Sequence, residues 1–172
     1  TVGYGMTECG PILGYEDWQN FKKRSCGKIV DRMTVTIDSN NPEKSVGEIM
    51  VKGDNVMMGY YKNPEANAAI FTSDGWMRTG DLGIVDKDGN IFIRGRNKSV
   101  IIGSSGQNIY PEEIESIINN FRYVVESLVI EKKGKLVAYV HFNLDELEKK
   151  YQNIKQDMTK HIDEKKEELI AE

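Results

Sequence analysis

The chain has 172 residues, a formal net charge of -4, and 39% hydrophobic and 29% charged residues. This composition fits a globular chain of one large domain or two small ones. Acidic and basic residues are interspersed without a basic face, which argues against a nucleic-acid module, and no apolar run approaches a membrane span. No signal-peptide pattern opens the chain. Cys9 and Cys26 are the only cysteines and have no metal-type spacing with each other or with His141 and His161. Reduced thiols in a cytoplasmic setting are expected, not a disulfide framework. The chain starts at Thr1 and stops inside a helical pattern, so both ends read as cut from a longer protein.

Residues 1–25 are irregular, with glycines at 3, 5, 10 and 14. Residues 28–38 are rich in Val, Ile and Thr, and residues 47–53 alternate; both predict strands, joined across Asn40-Asn41-Pro42. Residues 64–71 predict a short helix with Pro64 in its first turn. Residues 78–86 and 91–94 predict a hairpin around Asp86-Lys87-Asp88-Gly89-Asn90. Residues 27–95 thus read as a small, β-rich unit.

Gly95-Arg96-Asn97-Lys98 is a polar break, and a domain boundary is placed near Lys98. Beyond it the character becomes α/β, so the chain as a whole reads as α+β. Residues 99–102 predict a strand and residues 104–108 a loop. Pro111 opens a helix whose Glu112 and Glu113 suit the positive end of its dipole, with Ile114, Ile117, Ile118 and Phe121 on one face. Residues 124–130 and 136–142 predict a hairpin across Lys133-Gly134. In the tail, Leu144, Leu147, Tyr151, Ile154, Met158 and Ile162 recur at steps of three or four. One or two helices packed on the last hairpin are expected; a coiled-coil surface is the alternative.

Three clusters could carry chemistry. Residues 75–83 (GWMRTGDLG) set an aromatic, a cation, a hydroxyl and a carboxylate among glycines. Asp81 there could accept hydrogen bonds from the two hydroxyls of a ribose, although strand and turn chemistry explains the same residues. In residues 3–8 (GYGMTE), Tyr4 could lie flat on a base, Thr7 could reach a phosphate oxygen, and Glu8 offers a hard oxygen to Mg²⁺. The competing reading is a glycine-rich loop whose tyrosine packs in the core. Arg96, with Asn97 and Lys98, could support ribose or phosphate, or belong to a solvated linker. Together the clusters describe a nucleotide site, yet neither a Lys-Ser/Thr phosphate loop nor a G-x-G-x-x-G after a strand is present.

The blocks YGMTE (4–8), GEIMVKG (47–53), GWMRTGDLG (75–83) and GRNKSVIIGSSGQNIYPEEIE (95–115) resemble, in order and spacing, the AMP-forming acyl-adenylate enzymes. That family includes acyl-CoA synthetases, luciferases and peptide-synthetase adenylation domains. The likeness covers residues 1 to about 142, and the SSGQNIYPEEIE form with its charged tail looks most like the long-chain fatty-acid branch. The resemblance implies that Tyr4 stacks on adenine, Thr7 contacts the adenylate phosphate, and Glu8 holds Mg²⁺. Asp81 would bind the ribose hydroxyls with help from Arg96. Lys98 would be the hinge about which a small C-terminal domain, residues 98–172, swings against the end of a large domain, residues 1–97. Gly106 would line the pantetheine tunnel, while Gly47 and Glu48 look structural.

ATP, CoA and a fatty acid are the implied substrates, AMP a product and Mg²⁺ the implied metal. Acyl-CoA formation through acyl-AMP is the implied reaction. Peripheral membrane association, oligomeric state and chain-length preference stay open. The family's Ser/Thr/Gly-rich phosphate loop and its C-terminal lysine have no counterpart in the chain, and Gly134-Lys135 reads as a hairpin turn. The chain by itself is therefore expected to be inactive. Loading of a carrier protein in place of CoA, and a non-catalytic module that docks through residues 144–172, are the alternatives.

Overall fold

A computed structural model of the chain describes residues 2–16, 19–103 and 105–171, with the backbone alone for Val2 and residues 162–171. Strands β1 (Val2–Gly5), β2 (Ile12–Glu16) and β3 (Lys28–Ile29) form an antiparallel sheet in that order. Strands β4 (Met33–Asp38), β5 (Gly47–Gly53), β6 (Met77–Val85) and β7 (Ile91–Arg96) form a four-stranded antiparallel meander. The expected single strand over residues 28–38 is divided in two. Arg32 adopts φ 65°, outside the extended region, so the chain turns there and β3 and β4 join different sheets.

Period-two alternation sets the inner face of the meander. Gly47, Ile49 and Val51 of β5 are buried while Glu48 and Met50 between them are partly exposed, and Ile49 pairs in register with Ile37 of β4. Ile49, Val51, Met77 and Ile91 join Leu13, Cys9 and Tyr4 in one core. Helix α1 (Pro64–Ile70) is capped by Asn63, whose Oδ1 accepts from the Ala66 N–H at 3.1 Å. The β6–β7 hairpin closes over residues 86–90 as expected, with Asp86 Oδ1 accepting from the backbone N–H groups of Asp88 and Asn90.

After β7 come a 3-10 turn at Asn97–Ser99 and the short antiparallel pair β8 (Ile101–Ile102) and β9 (Asn108–Ile109). Packing divides the chain between Tyr110 and Pro111. The second unit contains helix α2 (Pro111–Ile118), the hairpin β10 (Val124–Lys132) and β11 (Lys135–Phe142), and helix α3 (Leu144–Ala171). Lys133 and Gly134, with φ 54° and 74°, make the turn that the sequence predicts, and Lys135 pairs with Lys132 as the first residue of β11. The result is a mixed, sheet-rich fold with three α-helices among the described residues, and all its strand pairs are antiparallel.

Two expectations about helices are corrected. Ile114 and Ile118 of α2 are half-buried, but Ile117 and Phe121 are 64% exposed, so the inward face is narrower than the sequence pattern. The tail is one helix, and of the described stripe residues only Leu147 is half-buried. Leu144, Tyr151 and Met158 are largely exposed and Ile154 is about half exposed; the Ile162 side chain lies outside the described residues. Among the described residues no helix is long and apolar enough to cross a membrane.

Candidate functional site

The second and third clusters meet because β6 and β7 pair with Asp81 opposite Arg96. Arg96 Nε lies 3.0 Å from Asp81 Oδ1, a charge-assisted contact. The first cluster reaches the same carboxylate from far away in sequence: the Tyr4 hydroxyl donates to Asp81 Oδ2 at 2.8 Å. Asp81 and Tyr4 are each only 7% exposed. Burial, reinforced by the Asp81 charge against an opposing hydrogen bond with Thr79, holds the Tyr4 phenol well above its usual range. Tyr4 therefore stays a neutral donor.

Thr79 fixes the turn beneath the carboxylate. Its Oγ1 donates to the Ile49 carbonyl at 2.8 Å and accepts the Asp81 N–H at 3.1 Å. Glu48, expected to be structural, ion-pairs with Arg78 at 2.6 Å and accepts the Gly80 N–H at 3.1 Å. The cation of the GWMRTGDLG block is thus tied to the sheet, and Arg96 is the cation at Asp81. Each Asp81 oxygen has one strong partner, and a carboxylate oxygen carries two lone pairs. The arrangement leaves acceptor capacity on both oxygens.

Gly3, Tyr4, Gly5, Met6, Thr7, Pro11 and Ile12 line a shallow cavity of about 370 Å³. Tyr4 belongs both to this cavity and to the core, so the packing reading of the first cluster holds, with a cavity at its surface. Thr7 is exposed and Glu8 half-exposed, in the 3-10 turn Thr7–Cys9. Glu8 is held by a segment that sequence reasoning missed, residues 55–60. Its carbonyl accepts from the Met57 N–H at 2.8 Å, and its Oε1 accepts from the Tyr60 hydroxyl at 2.8 Å. That bond is the main reason the Tyr60 phenol is raised above its ordinary value. Asn55 Nδ2 donates to the Cys9 and Ile12 carbonyls at 2.8 and 2.9 Å, pinning the same loop. The sequence signal for this support was the polar-aromatic run between a strand and a proline-started helix.

Burial, aided by the nearby Glu8 charge, pushes the Cys9 thiol up to about 11, so it is a core residue and not a nucleophile. Among the described residues no group of three or more His, Cys, Asp or Glu is placed to hold a metal ion. A single carboxylate such as Glu8 nevertheless fits Mg²⁺, which takes one or two carboxylates and completes its shell with phosphate and water.

Gly106 is not among these contacts, and Lys98 follows Arg96 by two residues in a turn that packs beside β6. Lys98 is exposed in the 3-10 turn after β7, within the first packed unit. Gly106 has φ 79° in the turn between β8 and β9, where its N–H donates to the Gly103 carbonyl at 2.8 Å. A Cβ there would meet nothing within 4 Å. Within this chain the backbone angle, not a close approach, is what asks for glycine.

Residues 1–61 match the AMP-binding enzyme family. The chain is 33% identical over 148 residues to 4-coumarate–CoA ligase 2 of Nicotiana tabacum, covering 80% of this chain and 27% of that enzyme. Its fold resembles that of o-succinylbenzoate coenzyme A synthetase (MenE) from Bacillus subtilis in complex with ATP and magnesium ion. That likeness has a TM-score of 0.75 and 37% identity, over 83% of this chain and 31% of the synthetase. It also resembles ATP-bound MatB from Rhodopseudomonas palustris, with a TM-score of 0.70 and 34% identity, over 82% of this chain and 30% of MatB. The chain thus spans between 27% and 31% of the length of these relatives. The likeness to the AMP-binding enzyme family is thus carried directly by residues 1–61, and the Tyr4–Asp81–Arg96 cluster is built from the blocks that suggested it.

Proposed function

We propose that the protein to which this chain belongs is an AMP-forming carboxylic acid–CoA ligase, and that this segment supplies the ribose-binding floor of its nucleotide site. The carrying observation is the convergence of Tyr4 and Arg96 on the two oxygens of Asp81. That geometry preorganises an acceptor pair for a ribose diol and leaves little reorganisation for binding. Thr7 would hydrogen-bond the α-phosphate, and Glu8, positioned by Tyr60 and Met57, would hold Mg²⁺ against the phosphates. Mg²⁺ would neutralise phosphate charge while a carboxylate displaces pyrophosphate; the CoA thiol would then displace AMP. Tyr4 would present its face to adenine along the cavity it shares with Thr7.

Lys98 is assigned as the hinge and Gly106 as part of the pantetheine path. Among acids, the SSGQNIYPEEIE block favours a long-chain fatty acid. The relatives named for coumarate and o-succinylbenzoate make aryl acids the comparison to include. The test is ATP–pyrophosphate exchange by the whole protein against a panel of fatty and aryl acids, with thioester formation followed on CoA. Asp81→Asn, which retains shape but loses the anionic acceptor pair, is expected to weaken ATP binding about tenfold or more. Unchanged ATP affinity in a folded Asp81→Asn protein would overturn the ribose assignment. Exchange dependent on no carboxylic acid would overturn the reaction class.

A further inference from the structure

Helix α3 turns most of its apolar stripe to solvent, and of the described stripe residues Leu147 alone is half-buried. Leu144, Leu147, Tyr151, Ile154 and Met158 follow one another at steps of three, four, three and four, the a and d positions of a heptad. Leu144, Tyr151, Ile154 and Met158 are 72%, 69%, 45% and 61% exposed. The helix meets its own unit through a different flank. Glu146, Lys149, Lys150 and Asn153 line a cavity with Arg122 and Tyr123, and Lys150 Nζ lies 5.4 Å from the Tyr123 ring centroid.

We propose that a second copy of this chain covers the stripe, as an antiparallel two-helix coiled coil. The flanking charges choose the partner and its direction. With Leu144 at a, Glu148 and Lys155 fall at e, and Lys150 and Asp157 at g. A parallel pair would place Lys150 against Lys155 of the second copy, twice by symmetry, a repulsive arrangement. An antiparallel pair that sets Tyr151 opposite Ile154 also sets Leu147 opposite Met158. In that register Glu148 faces Lys155 and Lys150 faces Asp157, each twice by symmetry. All four of these flanking contacts join opposite charges. The same register that sets Leu147, Tyr151, Ile154 and Met158 against one another is therefore the one that pairs the charges. The seam is short for a coiled coil, so the dimer is weak, with a Kd between about 10 μM and 1 mM.

Sedimentation equilibrium of the 172-residue chain, from about 10 μM to 1 mM, tests this. A monomer–dimer equilibrium is expected. Ile154→Glu, at an exposed position, should abolish it with helix content unchanged by circular dichroism. Lys155→Glu should weaken the dimer about five- to tenfold, because it sets two pairs of like charges face to face. Adding Glu148→Lys to Lys155→Glu should restore it. A monomer throughout the range, or a dimer untouched by Ile154→Glu, would overturn the proposal. A dimer tightened or left unchanged by Lys155→Glu would overturn the antiparallel register, since a parallel pair would gain a Lys150–Glu contact.

Discussion

Asp81 shows how a single carboxylate can be both a structural and a chemical group. It is buried beside the core, yet its two oxygens are held by Tyr4 and Arg96 and its N–H by Thr79. Tyr4→Phe removes the donor on Oδ2 and leaves part of a buried anion unsatisfied. It is expected to lower stability by about 1–2 kcal/mol, read as a shift in urea midpoint without a change in slope. An unchanged midpoint would mean that water replaces the phenol at no cost. The identities of Tyr4, Asp81 and Arg96 were legible in the sequence because glycines and polar groups crowd around them. That Tyr4 would bond to Asp81 was not, because 77 residues separate them. Tyr60 escaped notice for a similar reason: an aromatic in a loop has no pattern that reveals a partner 52 residues away.

At the scale of elements, the hairpins were the most legible parts. Alternation and turn residues act between near neighbours, so β6–β7 and β10–β11 closed where expected. The turn at Asp86 carries a measurable share of that stability. Burial by itself would raise its carboxyl. The Lys22 ammonium at 2.6 Å and the bonds from Asn90 and Asp88 outweigh burial and bring it down to about 2. A depressed carboxyl stabilises the fold above its unfolded value near 3.9, and that contribution disappears as pH falls through about 2. Asp86→Ala should therefore cost about 1–2 kcal/mol at neutral pH, discounted for the half-exposed lysine partner. Acid titration of unfolding should show the two proteins converging between about pH 4 and pH 2. A difference that stays constant over that window would assign the loss to packing and not to charge. Helices were less legible than hairpins. A 3.6-residue period shows that a face exists without saying what lies against it, and so the α3 stripe was expected on the hairpin and instead faces solvent except at Leu147.

For the whole molecule, the consequential feature is the division into two packed units, with the Asp81 cluster in the first. If Lys98 is the hinge of the proposed ligase, restricting its φ should separate the two half-reactions. In the whole protein, Lys98→Pro is expected to leave pyrophosphate exchange within about twofold of the parent while slowing thioester formation about tenfold or more. Equal loss in both assays would place the defect in nucleotide binding, and no loss in either would remove Lys98 from the hinge.

The sequence by itself determined the local elements, the residues offered to a nucleotide and the likeness to adenylate-forming enzymes. Each of these depends on short-range spacing and on side-chain chemistry present in the residues themselves. Tertiary structure alone decided which of those residues share a carboxylate, that Glu8 is held by Tyr60, and that Arg78 serves the sheet while Arg96 serves Asp81. The physical reason is strand register. A one-residue slip between β6 and β7 would turn the alternating side chains to the opposite face, and only the packed sheet fixes Asp81 opposite Arg96.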